Sequence, residues 1–287
     1  MEIKQIGKIQ GGQDGAIYKN ELFRFNAKGE CFVFNLSNLD MLNAGELTHF
    51  ATFTLDKADL IVPHSNAVCF GCDFFEQGDE YPLLYSNVYN NYANAEEKLI
   101  GVCLVYRLQK IKGEFKTSLI QMIEIGFCED ADLWKTNENA HGVRPYGNFI
   151  VDREKKEFWA FVMRDAQNST RYFKFNLPKI SDGEMDGKYN VKKVVLKKDD
   201  VLEYFDCDYH HFIQGAILEK GKIYSTEGFR NNLTNRPAIR VIDLKTKEQK
   251  CIDIMDLGFV DEPEFIDFLG DTCLYSDYGG GLYKIEF

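Results

Sequence analysis

The feature that most restricts this chain is a set of short strand-like segments recurring five times in one order. LLYSN (83–87), KIYST (222–226) and CLYSD (273–277) share an aliphatic–Tyr–Ser core, and NELFRF (20–25) and KEFWAF (156–161) fill the same slot. Aligned on the aromatic they read Phe23, Tyr85, Trp159, Tyr224 and Tyr275, followed by Arg24, Ser86, Ala160, Ser225 and Ser276. Behind each stands a second segment: FVFNL (32–36), LVYRL (104–108), FKFNL (173–177), RVIDL (240–244) and YKIEF (283–287). A third precedes each pair: DGAIY (14–18), NAVCF (66–70), NFIVD (148–152), QGAIL (214–218) and EFIDF (264–268). Polar and apolar residues alternate with a period of two, which puts one side of each segment in a core and specifies β-strands.

Most units add a fourth strand: HFATFTL (49–55), SLIQMIEIG (118–126), YNVKKVVL (189–196) and EQKCIDIM (248–255). The last unit has none of its own, and EIKQIGKI (2–9) at the other terminus supplies it. Pairing 2–9 beside 281–287 closes a ring and removes a bare edge that would template association. In architecture and repeat pattern, over nearly its whole length, the chain resembles five-bladed β-propellers. That resemblance implies an all-β fold over residues 1–287 as a single domain. The blades are four-stranded and antiparallel, and the N-terminal strand closes the last one. Helical pattern is confined to short turns at 93–99 and 129–136.

Net charge is −11, with no Lys/Arg run longer than pairs such as Lys192-Lys193, so the sequence predicts no nucleic-acid partner and no membrane partner. The first fifteen residues lack the charged-then-apolar pattern of a signal peptide, and a cytoplasmic location is expected. The eight cysteines are scattered through apolar segments. Cys69 and Cys72 form the one CxxC, with no second pair to complete a zinc site.

In a propeller the first strand of each blade lines the channel, and its leading end opens on one mouth. Those leading residues are Asp14, Asn66, Asn148, Gln214 and Glu264, all carboxylates or amides. Gln13, His64, Arg144, Tyr146, His211 and Glu262 stand close by in sequence, with Phe212, Tyr89 and Tyr92 as further aromatic faces. A polar ring in a wet channel can simply hold water and satisfy backbone groups. The convergence of acid, amide, imidazole and aromatic side chains also suits a polar ligand, a carbohydrate above all.

Five-bladed propeller glycosidases, as a family, place catalytic carboxylates on successive inner strands. Asp14 matches the position of their base, but Asn66 and Asn148 stand where that family has acids, so the usual carboxylate pair is missing. An enzyme acting on glycans would instead draw on Asp14 and Glu264 with His64 or His211. No cofactor is expected; the alternatives are a channel Ca²⁺ on Asp14, Glu262 and Glu264, or a metal on His64, His210 and His211. A third reading is a protein-interaction scaffold using the long insertion of the second unit, residues 72–95.

Overall fold

The computed structural model describes residues 1–39, 45–89, 98–99, 101–127, 149–164, 168–210 and 212–287. The chain opens with β1 (Glu2–Lys8). Blade one follows as β2 (Gly15–Tyr18), β3 (Glu21–Phe25), β4 (Glu30–Asn35) and β5 (Ala51–Thr54). A one-turn helix, α1 (Ala58–Ile61), leads into blade two, which is β6 (His64–Phe70), β7 (Leu84–Val88), β8 (Val102–Ile111) and β9 (Glu114–Ile125). Blade three begins with β10 (Phe149–Asp152), β11 (Glu157–Arg164) and β12 (Ser169–Asn176). The chain continues through β13 (Glu184–Asp186) and β14 (Val191–Leu196) to β15 (Glu203–Asp208). Blade four is β16 (Ile213–Glu219), β17 (Lys222–Glu227), β18 (Ala238–Asp243) and β19 (Gln249–Asp253). Blade five is β20 (Pro263–Leu269), β21 (Thr272–Asp277) and β22 (Gly281–Glu286), completed by β1.

The closure expected from the termini is present. β1 lies antiparallel to β22, with Glu2 opposite Glu286 and Lys8 opposite Gly281. Around the axis, β2, β6, β10, β16 and β20 pack each on the next, and β20 packs back on β2. Alternation then fills the wedges between blades with the other face of each sheet. Between blades one and two, the Phe23 ring meets Phe70 at 5.2 Å and Phe115 at 5.6 Å, both edge-on. Burial of each such ring contributes roughly 1.5–3 kcal/mol.

One strand expected in blade three belongs elsewhere. Residues 189–196 do form a strand, β14, but it pairs in parallel with β9 of blade two, Lys192 opposite Gln121 through Leu196 opposite Ile125. With β13 alongside, blade two becomes a six-stranded sheet. Blade three is completed instead by β15, which runs antiparallel to β12. The physical reason lies in β9, whose twelve residues present a long edge that needs cover. Lys193 fixes the graft by pairing with Glu124 at 3.1 Å, and the Gly126 N–H donates to the Leu196 carbonyl at 2.8 Å.

Inner strands all run from the mouth to the far end of the channel, so the insertion after β6 emerges at the far end. There Tyr81 is buried against Phe23 and Phe70, and its hydroxyl donates to Glu21 at 2.7 Å. Arg107 holds Asp79 through Nε at 3.0 Å and Nη2 at 2.7 Å. β7 then carries the chain back to the mouth, where Tyr89 lies; residues 90–95 fall outside the described residues. The segment 72–95 therefore spans both ends of the propeller. The expected turns at 93–97 and 129–136 also lie outside the described residues, and 98–99 carry no helix.

Candidate functional site

In four blades the start of the inner strand is described, and none of the four is regular. In blade one, the Gln13 N–H donates to the Phe25 carbonyl at 2.8 Å while the Phe25 N–H donates to the Asp14 carbonyl at 3.1 Å, so two residues face one. The register slips between His64 and Val68, between Ile213 and Ala216, and between Pro263 and Phe265. Asn66, Gln214 and Glu264 occupy those slips, and such bulges commonly re-aim a side chain beside a site. The backbone is strained at the same level: Val62, His64, Ser65 and Phe212 have φ of 50°, 63°, 36° and 57°. Holding a residue other than Gly in the left-handed region costs on the order of 1–3 kcal/mol each.

These side chains meet. Gln214 Nε2 donates to Glu262 Oε1 at 2.5 Å, and Asn66 Nδ2 donates to Gln214 Oε1 at 3.5 Å, a chain linking blades five, four and two. Beneath it, Gln13 Nε2 donates to Glu264 Oε1 at 3.2 Å. Asp14 Oδ2 accepts the Val68 N–H at 2.8 Å, satisfying an inner-edge amide that the sheet ladder leaves free. Asn87 does the same for the Ala67 N–H at 2.7 Å and Thr226 for the Gly215 N–H at 2.9 Å. Part of the ring is thus structural. Gly215 is required where it stands, because a Cβ there would lie 2.5 Å from the Glu264 carbonyl and 2.9 Å from Asp14 Oδ1.

Under this layer sits Arg24, fully buried, with Nη2 donating to the carbonyls of Gly12 at 2.8 Å and Asp277 at 3.2 Å. Burial lowers its guanidinium to about 10, with Glu264 and Asp14 acting the other way. Burial likewise pushes Asp14 and Glu264 well above the ordinary carboxyl range, against the pull of Arg24 on both. The sequence reading passed over Arg24, although one signal was there. In the slot after the aromatic, four copies carry Ser or Ala and blade one carries a guanidinium.

Around the mouth stand half-exposed groups. The Phe212 and Phe229 ring centroids lie 4.3 Å apart with the planes tilted by 42°, and His64 meets Tyr89 edge-on at 6.0 Å. Burial lowers the His64 pKa, and burial with the Asp261 charge raises that of Glu262. Of the expected site residues, Gln13, Asp14, Asn66, Gln214, Glu262 and Glu264 come together, and His64 joins them on the rim. Arg144, Tyr146, Asn148 and His211 lie outside the described residues. His210 is fully buried between Phe161 and Tyr172, its Nε2 at 3.3 Å from Cys207 Sγ. Among the described residues no group of three or more His, Cys, Asp or Glu side chains is arranged to hold a metal ion.

The far end of the same strands is built differently. Asp267 Oδ2 accepts the Ile17 N–H at 2.6 Å and pairs with Arg153 Nη2 at 3.2 Å, while its Oδ1 accepts the Phe268 N–H at 2.7 Å. Arg153 Nε donates to the Phe70 carbonyl at 3.0 Å, so one ion pair ties blades two, three, five and one.

Five sheets arranged radially, each built on four antiparallel strands, with the first and last strands of the chain paired in one blade, define a five-bladed β-propeller. No protein-family model matches the chain, and no curated protein matches it. Among solved structures it is similar to the computationally designed Ika8 protein, at 10% identity and a TM-score of 0.37, covering 99% of this chain and 100% of that one. It is also similar to the β-propeller domain of Vanderwaltozyma polyspora Nup133, at 13% identity and a TM-score of 0.40, covering 92% of this chain and 67% of that one. Among the described residues no helix is long and apolar enough to cross a membrane.

Proposed function

We propose that this propeller binds a polar small molecule, a carbohydrate, at the mouth of its channel. The observation that carries the reading is the Glu262–Gln214–Asn66 chain, drawn from three blades at their strand starts, with Phe212 of the tilted Phe212–Phe229 pair two residues along the chain from Gln214. Amides and a carboxylate bind hydroxyls, and an aromatic face stacks on a sugar ring. Backbone strain gathered at one mouth is a further pointer, since strain of this kind clusters at ligand sites. The burial of Asp14 and Glu264, at 0% and 1% exposure, favours binding over hydrolysis, because neither carboxyl reaches a bound glycoside. Titration calorimetry against a glycan panel tests this. Asn66→Ala and Phe212→Ala are each expected to weaken binding by about 1–3 kcal/mol with the circular dichroism unchanged. Unaltered affinity in both variants overturns the assignment of the mouth.

A further inference from the structure

The hydrogen-bond inventory of the mouth is lopsided. Each side-chain amide nitrogen there already donates: Gln13 Nε2 to Glu264, Asn66 Nδ2 to Gln214, and Gln214 Nε2 to Glu262 and the Gly228 carbonyl, which leaves one N–H each on Gln13 and Asn66. The atoms without a partner among the described residues are oxygens: Gln13 Oε1, Asp14 Oδ1, Asn66 Oδ1 and Glu264 Oε2. Their residues are all more than nine-tenths buried, at 7%, 0%, 8% and 1% exposure. The exceptions nearby are the hydroxyls of Ser225 and Tyr275 and Arg24 Nε and Nη1, the Arg24 guanidinium sitting 5.6 Å from the Phe265 ring centroid.

Charge leans the same way. Among the described residues Glu262, Asp261 and Asp277 gather around the channel against Arg24 and Arg230, the latter paired with Asp261 at 3.3 Å, while burial disfavours the charged forms of Asp14 and Glu264. Burial of His64 disfavours its charged form, so it adds no compensating cation at neutral pH. The rim is aromatic, and aromatic faces attract cations. A carboxylate or phosphate brought here meets acceptors and negative charge. An ammonium group brings donors alone, which is the complement of what the mouth offers.

We infer that the ligand carries a basic nitrogen, and that this nitrogen donates to Glu262 and Asn66 at the aromatic rim. The inference rests on the carbohydrate reading above and narrows it to an amine-bearing sugar.

Four ligands separate the two readings by calorimetry: chitosan oligosaccharides, neutral cello-oligosaccharides, acidic oligogalacturonides and spermidine. The chitosan oligosaccharides are expected to bind at least about tenfold more tightly than the neutral ones, and the oligogalacturonides not at all. Glu262→Gln is expected to erase that preference, weakening the chitosan oligosaccharides at least about tenfold more than the neutral ones. Neutral or acidic sugars binding as tightly as the amine, or a preference surviving Glu262→Gln, overturns the inference. Binding confined to neutral sugars sinks it and leaves the carbohydrate reading standing. Binding of spermidine with no sugar bound keeps the basic nitrogen but overturns the carbohydrate reading and the amine-bearing sugar with it, and no binding by any of the four overturns both.

Discussion

The two ends of the channel use the same strands and the same chemistry, and they treat a buried carboxylate in opposite ways. At the far end, both Asp267 oxygens accept backbone N–H groups and one also pairs with Arg153. At the mouth, Asp14 and Glu264 each leave one oxygen unpartnered among the described residues, although Arg24 lies close enough to bias both. A satisfied buried charge locks a structure, whereas a buried acid short of partners has its charged form disfavoured. The contrast gives the far end the partners to hold the ring, and the proposed ligand site falls at the end that lacks them.

The largest expected effect lies at the lock. Asp267→Ala strands the Arg153 charge and the Ile17 N–H, and should destabilise the fold by about 3–5 kcal/mol in urea unfolding. A loss no greater than that of a mouth variant breaks the comparison. Next comes Gly215→Ala, whose new Cβ collides with the Glu264 carbonyl and Asp14. It should cost about 1–3 kcal/mol and also disturb the mouth, since Gln214 is its neighbour in the bulge.

The smallest effect is expected from Glu264→Gln, within about 1 kcal/mol of wild type at pH 7. Its sharper signature is a slope. Both Asp14 and Glu264 have pKa values raised in the fold, from ordinary values of 3.8 and 4.5, so the native state holds protons more tightly than the unfolded chain. Wild-type stability should therefore be greatest below those ordinary values and fall as pH rises through the raised ones. Glu264→Gln should flatten that fall, as measured by urea unfolding across a pH series. An unchanged slope means that Glu264 is not a strained acid, and the contrast between the two ends loses half its content.

The sequence exposed whatever repeats. Five aligned cores placed the inner strands, and the first residues of those strands pointed to Asp14, Asn66, Gln214 and Glu264 as a group. The pairing of 2–9 with the last strand followed from counting edges. What stayed hidden depends on contacts without a local pattern. β15, EYFDCD, alternates as well as β14 does, and only the tertiary surroundings decide which of them joins β12. The bulges at Asn66, Gln214 and Glu264 arise where strand starts from several blades crowd one axis, and nothing in their neighbours' sequence announces a slipped register. Arg24 was visible as a misfit in its column, yet its place under the floor becomes clear only once Gly12 and Asp277 are seen to hold it.

The graft of β14 onto β9 bears on how this ring assembles and how it can be divided. In a simple propeller each blade is a self-contained segment, so the chain can be cut or duplicated between any two blades. Here the polypeptide leaves blade three after β12, completes an edge of blade two, and only then returns to finish blade three with β15. The two blades are thus braided along the chain. A fragment ending after β12 leaves blade two without its outer cover and blade three without its last strand, so a nascent chain has to emerge past Leu196 before blade two is whole and past Asp208 before blade three is. Circular permutants and split versions should accordingly tolerate breaks between blades three and four, or four and five, far better than anywhere from β9 to β15.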